Sequence, residues 1–524
     1  MTAVRPADAP EGTFLRWLEN NQRRQPNKVF IDAIDQNLSI THGEIYALAR
    51  RIGGALAARG IGANDRVALL SNNSIEHLAV YIATLAYGAT ICTINVEMNE
   101  AHFEHILASV NAPLVLYEDG LGLERFANRF SGAWVPLGNW RPGDGKGFYG
   151  EVAAASAWEG TAPVATRNDV ASVFYTSGTE STPKGVVGSY AHLYNNVEPV
   201  ADAFSIRSDD RVLDYRSYNW VSAQVLSALA PLCRGATLVM ARRFSAGRFF
   251  DWIRDYQATI AAGNPTVINM LINRPVAVTG TDLPHLRFVT SSSAPLLVQD
   301  WKTFERAYGI RICQGYGSSE AIWISGSNED ARRLGSVGYP LPYHHLAIVD
   351  GDGKHLPAGE TGAITVNPGT EHKFQYLDAD GSYRVHASGR LDIGDIGYLD
   401  ADGFLFVTGR TKDLIIRGGI NIAPLEIDNV VSELADVVEA AAIGVPDRIY
   451  GEEVVLYVAP KAGRGLTIDD VLDHCHTRLP VAKMPKEIVF RNSLPKNDRG
   501  KMDRKALAEL WIGGAMAAAS VETE

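Results

Sequence analysis

The chain has 524 residues, 46% of them hydrophobic and 21% charged, with a formal net charge of −11. This is the composition of a globular protein of several domains, and its acidic balance argues against nucleic-acid or anionic-membrane partners while allowing a local basic site. No apolar run reaches the roughly 18 residues of a membrane span, and residues 1–19 lack a basic stretch followed by an apolar core, so a cytoplasmic location is expected. Cys92, Cys233, Cys313 and Cys475 are scattered without metal-like spacing and read as reduced thiols. His474-Cys475-His476 would point in different directions on a helix.

In chain order, Thr41-x-x-Glu44 is a capping-box pattern that opens a helix over 45–59, ended by Gly60. Residues 66–70 read as a buried strand, 75–87 as a helix stopped by Gly88, 89–94 as a strand, 99–110 as a helix and 113–117 as a strand. This alternation predicts a parallel sheet covered by helices. Residues 136–165, rich in Gly, Pro and Ala, predict a surface connection, and 171–174 a further buried strand. The alternation resumes with extended 211–215, helical 223–229, a strand at 236–240, helical 252–257, extended 259–262 and a strand at 286–290. From 345 to 408 short strands and Asp-Gly turns (350–353, 380–381, 402–403) predict a meander or small barrel. Beyond Arg410 a compact α+β unit follows: a helix at 424–434, strands at 437–444 and 453–459, a helix at 468–478 and a strand at 487–491. The alanine-rich last fifteen residues predict a frayed tail.

The stretch from Tyr175 to Val186 carries the most chemistry. Thr176, Ser177, Gly178, Thr179 and Lys184 follow a strand and supply what a phosphate cradle needs: a backbone free to turn, hydroxyl donors and a point charge. Pro183 before the lysine and Gly185 after it exclude the Gly-x-x-x-x-Gly-Lys-Ser/Thr loop. The string resembles the phosphate loop of the adenylate-forming superfamily of acyl-CoA synthetases, luciferases and peptide-synthetase adenylation domains, departing from it at Glu180 and Ser181.

Four further strings appear in that superfamily's order. Gln314-Gly315-Tyr316-Gly317-Ser318-Ser319-Glu320 resembles its Tyr-Gly-x-Thr-Glu motif. The resemblance implies that Tyr316 stacks on adenine, Ser319 contacts the α-phosphate and Glu320 holds Mg2+. Asp395, in Gly394-Asp395-Ile396-Gly397, would accept both ribose hydroxyls. Residues 409–419 resemble the hinge segment, which implies Arg410 on the ribose, Lys412 as the pivot, and Gly418 and Gly419 beside the pantetheine arm of coenzyme A. Pro495 to Lys501 resembles the loop of the catalytic lysine, making Lys501, with Glu320 and Lys184, the expected catalytic group.

The implied fold is α/β. A large N-terminal domain (1–409) of parallel-sheet layers and helices carries a small β-barrel-like part. A hinge (410–413), a smaller mobile α+β domain (414–510) and a tail (511–524) follow. The implied reaction is AMP-forming ligation of a carboxylic acid to coenzyme A with Mg-ATP; a homo-oligomer is compatible with it. Arg216, Trp220, Ser293 and Trp323 are the expected acid-binding residues. Polar residues at 216–224 and two bulky tryptophans favour a small polar, aromatic or anionic acid, sulfoacetate-like or dicarboxylic. Arg216 either grips a distal anion or pairs with Asp214, two residues away on the same strand face. The alternatives are a medium-chain fatty acyl-CoA synthetase and an adenylating enzyme that loads a carrier protein.

Overall fold

A computed structural model describes residues 13–141, 145–159, 165–175, 183–367, 373–386, 389–496 and 502–521, with the side chains of the last helix described to Gly513. Thr41 caps the helix His42–Ala58 through a complete capping box. Its hydroxyl accepts from the Glu44 N–H at 3.2 Å, and the Glu44 carboxylate accepts from the Thr41 N–H at 2.9 Å. Gly88 ends the helix Ile75–Tyr87 with a left-handed φ of 104°. Every residue of that helix is buried, in a core shared by two sheets.

The first sheet has nine strands in the order Tyr339–Pro340, Ile322–Gly326, Ile312–Ser318, Phe288–Ser291, Ile260–Ala261, Arg211–Asp214, Thr237–Met240, Val29–Ala33 and Leu38–Thr41. The six from Ile312–Ser318 to Val29–Ala33 run parallel. The second sheet has eight, in the order Tyr383–Val385, Gln375–Leu377, Gly185–Ser189, Val170–Tyr175, Thr90–Thr93, Arg66–Leu70, Leu114–Tyr117 and Ala133–Pro136. Its last five are parallel. Parallel strands covered on both faces carry near-continuous apolar runs, and Arg66–Leu70 and Val170–Tyr175 do so.

An antiparallel four-stranded unit follows, His345–Val349, Gly362–Asn367, Leu391–Leu399 and Leu405–Arg410, which is the small barrel-like part. The C-terminal sheet joins Ile420–Ile422, Ile415–Arg417, Gly451–Pro460 and Val437–Asp447, with Glu487–Phe490 parallel to Gly451–Pro460. Its core is separate from those of the large domain.

Four expectations are corrected. Residues 136–165 are not all surface connection: the helix Gly147–Ala154 buries Phe148 and Tyr149, and the Tyr149 hydroxyl donates to the Glu76 carbonyl at 2.8 Å. The strand Gly185–Ser189 went unseen because two of its five residues are glycine and its apolar run is short. Gln375–Leu377 and Tyr383–Val385 leave the barrel-like unit and pair with that strand in the second sheet. The C-terminal residues form the helix Arg504–Val521, with Leu507 buried against the C-terminal sheet.

Candidate active site

Open α/β sheets present ligands at the carboxyl ends of their parallel strands, because the loops there are free to carry polar groups. Both parallel sheets direct these ends toward the residues singled out above. Thr176, Ser177, Gly178, Thr179, Glu180, Ser181 and Lys501 lie outside the described residues. Lys184 is described and exposed. It stands directly before the strand Gly185–Ser189, which folds back antiparallel on Val170–Tyr175, so residues 176–184 connect the two arms of a hairpin.

The strand Ile312–Ser318 delivers Gly315, Tyr316 and Gly317. The Tyr316 hydroxyl donates to Asp395 Oδ2 at 2.6 Å; burial, then the Asp395 charge, hold this phenol well above its ordinary pKa. Asp395 is a cross-strand partner of Arg410, whose Nε lies 3.3 Å from Asp395 Oδ1. The expected adenine residue and the two expected ribose residues therefore form one cluster, built from the first sheet and the barrel-like unit.

Glu320 follows in the turn. The Tyr376 hydroxyl hydrogen-bonds to it, and burial together with the Glu320 charge pushes that phenol up to about 12. Tyr376 belongs to the strand whose Leu377 pairs with Gly185, so Glu320 is tied to the neighbourhood of Lys184. A part-buried carboxylate is a hard anionic donor, which fits Mg2+. Ser318 caps this turn, its Oγ accepting from the Ala321 N–H at 3.0 Å, and Ser319 lies within it.

The turn is held under strain. Ile322, β-branched, has a left-handed φ of 60°, a conformation that costs about 1–3 kcal/mol and persists only when its surroundings impose it. Those surroundings are visible. His344 Nε2 donates to the Ala321 carbonyl at 2.8 Å, and the Tyr343 hydroxyl lies 3.4 Å and 3.3 Å from the carbonyls of Ala321 and Trp323. Asn196 Nδ2 donates to the Trp323 carbonyl at 3.0 Å. Burial lowers the His344 pKa to about 4, so the ring is neutral and Nε2 carries the proton. Gly317 is required here, since a Cβ would lie 1.8 Å from the Ile322 carbonyl oxygen. Tyr343, His344, Asn196 and Tyr376 were not anticipated; the Tyr343-His344-His345 run was the one sequence signal for them.

The expected acid-binding residues divide. Arg216 and Asp214 form a buried ion pair at 2.7 Å, their side chains 9% and 0% exposed. Arg216 Nη1 and Nη2 also reach the hydroxyls of Ser292 (3.4 Å) and Ser227 (3.2 Å). The guanidinium is thus neutralised by its strand neighbour. Trp323 is a core residue, edge-on to Phe204, with Nε1 donating to the Ser222 carbonyl at 3.2 Å. Ser293 is exposed, with a φ of 73°. Trp220 is part-buried and starts the helical segment that continues as the π-helix Gln224–Leu229. Asn73 and Asn219 stitch this segment to the second sheet: Asn73 Oδ1 accepts from the Tyr218 N–H at 2.9 Å, and Asn219 Nδ2 donates to the Ser71 carbonyl at 3.0 Å.

A cavity of about 410 Å3 opens where the carboxyl ends of the two sheets meet. Tyr215, Arg216 and Ser217 reach it from the first sheet; Trp220, Ser293 and Trp323 do not line it. The rest of its wall comes from Asn72, Asn73, Asn95 and Glu97 of the second sheet, from Arg242, Arg243 and Phe244 after Thr237–Met240, and from Asn264 and the helix Pro265–Asn273. Sequence reading missed these because each segment contributes only one to three residues, distributed over two hundred positions.

In the C-terminal region, Lys412 lies in the turn Thr411–Asp413, between the last barrel-like strand and Ile415–Arg417. Gly418 and Gly419 are the two central residues of a tight hairpin, with φ of 57° and 82°. Positive φ at both positions is what a two-residue turn of this hand demands, a structural reason for the glycines. The hairpin is exposed, and so are Ile416, Ile420, Ile449 and Tyr450 around it.

Residues 18–369 match the family model described as AMP-binding enzyme, and residues 426–501 the one described as AMP-binding enzyme C-terminal domain. A sulfoacetate–CoA ligase of Cupriavidus necator is 33% identical over 92% of this chain and 94% of that protein. An oxalate–CoA ligase of Arabidopsis thaliana is 29% identical over 95% and 99%. Among solved structures, ATP-bound MatB from Rhodopseudomonas palustris superposes with a TM-score of 0.84 at 27% identity, covering 96% of this chain and 99% of that one.

Proposed function

The chain belongs to the AMP-binding enzyme family, as an AMP-forming acid–CoA ligase that uses ATP, Mg2+ and coenzyme A, and from that premise we propose that its acid is short, with a polar or anionic far end. The observation that carries this is the charge on the cavity wall. Three guanidinium groups, those of Arg216, Arg242 and Arg243, line it against one carboxylate, Glu97. The other counter-ions, Asp214 and Glu118, pair with Arg216 and Arg242 at 2.7 Å and 2.6 Å without lining the cavity. Each guanidinium thus has a carboxylate partner, so the wall is polar, and only Arg243 holds its partner in an exposed pair that a substrate anion can replace; the asparagines offer both donors and acceptors. An alkyl chain would desolvate the wall's asparagines and charged pairs without offering them a hydrogen bond.

Arg243 is the residue we assign to the anionic end. Its pair with Glu97 is open to solvent, the side chains 71% and 54% exposed, so exchanging Glu97 for a substrate anion costs little, at most about 1 kcal/mol. Breaking the buried Arg216–Asp214 pair would cost several times that. The sulfoacetate and oxalate named for two relatives are also short acids with an anionic far end.

The first step joins two anions, so the residues must offset charge before they do anything else. The carboxylate attacks the α-phosphorus in line, forming the acyl–O–P bond as the bond to pyrophosphate breaks. Residues 176–179 and Lys184 donate to the phosphates, and Glu320 would hold Mg2+, which neutralises phosphate charge. Tyr316, Asp395 and Arg410 receive adenine and ribose: on nucleotide binding the hydroxyls of the sugar exchange for the Tyr316 O–H and Arg410 N–H that Asp395 now accepts. Lys501 bridges the carboxylate and the α-phosphate.

In the second step the C-terminal domain turns about Lys412, withdrawing Lys501 and presenting the Gly418–Gly419 hairpin. The coenzyme A thiolate then attacks the acyl carbon and AMP leaves with the bonding pair. The exposed apolar residues around that hairpin supply a face that such a rotation would cover. The test of the acid assignment is Arg243→Ala. It should lower kcat/KM for sulfoacetate and short dicarboxylates by about three- to fivefold, the contribution of an exposed charge pair, and leave benzoate and butyrate unchanged. Equal losses for all four acids would overturn it.

A further inference from the structure

One carboxyl group stands at the junction of the large and small domains. Asp300 lies part-buried in the first turn of the helix Val298–Tyr308. Asn269, on the helix Pro265–Asn273, hydrogen-bonds to it from its own domain. From the C-terminal domain it is faced by Glu439 and Lys496. These two are ion-paired, and the Glu439 Oε2 also accepts the Leu494 N–H at 3.3 Å. Two residues before Asp300, the Val298 N–H donates to Asn429 Oδ1 at 3.2 Å. A first-turn helix donor with no partner inside its own helix is thereby satisfied across the domain junction. Lys496 and Met502 form an isolated antiparallel bridge.

We propose that Asp300 is a positioning residue that sets how firmly the C-terminal domain docks in the arrangement seen here, holding it when neutral and loosening it when ionised. This rests on the two-step reading above. The geometry gives the reason. Among the described residues, Lys496 is the cation that faces Asp300, and it is already paired with Glu439, so of these groups an ionised Asp300 meets a second carboxylate and a cation it must share. When the domain turns away, the carboxyl returns to water.

Burial first, and Glu439 after it, push the Asp300 pKa up to about 6, against the opposing effects of Asn269 and Lys496. A carboxyl in water titrates near 4. The sign follows: the docked form holds the proton more tightly, so docking is strongest below about pH 4 and weakens as pH rises through about 6. Two units correspond to at most about a hundredfold in the docking equilibrium, and to roughly tenfold for a part-exposed group screened by solvent. The helix Pro265–Asn273 also lines the cavity through Thr266, Val267 and Met270, so the acid and the docking junction share one element.

The test uses the full chain without substrate. Dyes on Lys302→Cys and Asp473→Cys, both exposed, in a Cys233→Ser background report the docked population by single-molecule energy transfer between pH 5 and pH 8. The native residue should give a docked-to-released ratio that falls about tenfold over that range, Asp300→Asn a ratio that stays high and flat, and Lys496→Met a lower ratio at every pH. Superimposable curves for Asp300 and Asp300→Asn, or no pH dependence in either, overturn the proposal. Pyrophosphate exchange and coenzyme-A-dependent AMP release on the same variants separate the two failures. If neither reaction runs with any acid, the ligase reading fails; if both run and the transfer curves coincide, only the role of Asp300 fails.

Discussion

Replacing Arg216 by Met separates a structural arginine from a substrate anchor. The methionine keeps most of the apolar stem and removes the guanidinium. Asp214 is fully buried and accepts Arg216 Nε at 3.1 Å on each oxygen, Nη2 at 2.7 Å and the backbone N–H of residue 216 at 2.8 Å. Only the backbone donor survives the substitution, so a carboxylate is left buried beside a thioether. Breaking a buried pair from one side costs about 3–5 kcal/mol. Removing both charges with Asp214→Leu and Arg216→Met should return most of that loss, because the desolvation penalty leaves with the pair. Urea unfolding followed through the nine tryptophans measures all three variants. A single variant that loses less than about 1 kcal/mol, or a double variant no more stable than the single, would refute the reasoning. If the double variant retains turnover of anionic acids, Arg216 does not anchor them.

Gly317→Ala should cost more than about 3 kcal/mol or displace the strained turn, because its Cβ would meet a backbone oxygen at 1.8 Å; pyrophosphate exchange should fall at least a hundredfold, and near-native exchange would show that the turn is not needed. Lys412→Pro should spare adenylate formation and suppress thioester formation, while Lys501→Ala should do the reverse with supplied acyl-adenylate; full thioester activity in Lys412→Pro would remove the hinge from that position. Acid should weaken the fold: burial holds His42, His77 and His344 at about 4, below an ordinary histidine, so the unfolded chain binds protons first. Stability should therefore decline as pH falls from about 6.5 toward 4, and a flat unfolding midpoint over that window would contradict the burial of these rings.

Local signals carried the parts of the fold that are decided locally. The capping box at Thr41 and Glu44 and the stop at Gly88 are short-range chemistry, and both helices appear with those caps. The cluster of Tyr316, Asp395 and Arg410 was legible because each sits in a contiguous string that resembles a family motif. The cavity was not, because its wall is assembled by topology. Asn72, Arg243 and Asn264 are far apart in the chain and meet only because three strands from two sheets end together. Arg216 marks the limit of the local argument. Its spacing from Asp214 allowed the pair, and the burial of both groups then favoured the pair over a ligand contact. Gly418 and Gly419 show the converse, since the turn geometry alone accounts for residues that a motif assigns to a coenzyme.

The measurement that bears most directly on the account is AMP release from Mg-ATP across a panel of carboxylates, each with and without coenzyme A. The panel spans acetate, medium and long fatty acids, benzoates, cinnamates, dicarboxylates and sulfoacetate. The account predicts turnover that requires coenzyme A and is highest with a short acid carrying a second anionic group, because Arg243 on the cavity wall can exchange its exposed partner Glu97 for a substrate anion. Highest turnover with a fatty acid would contradict the cavity assignment, and adenylation that never passes the acyl group to coenzyme A would contradict the ligase reaction itself.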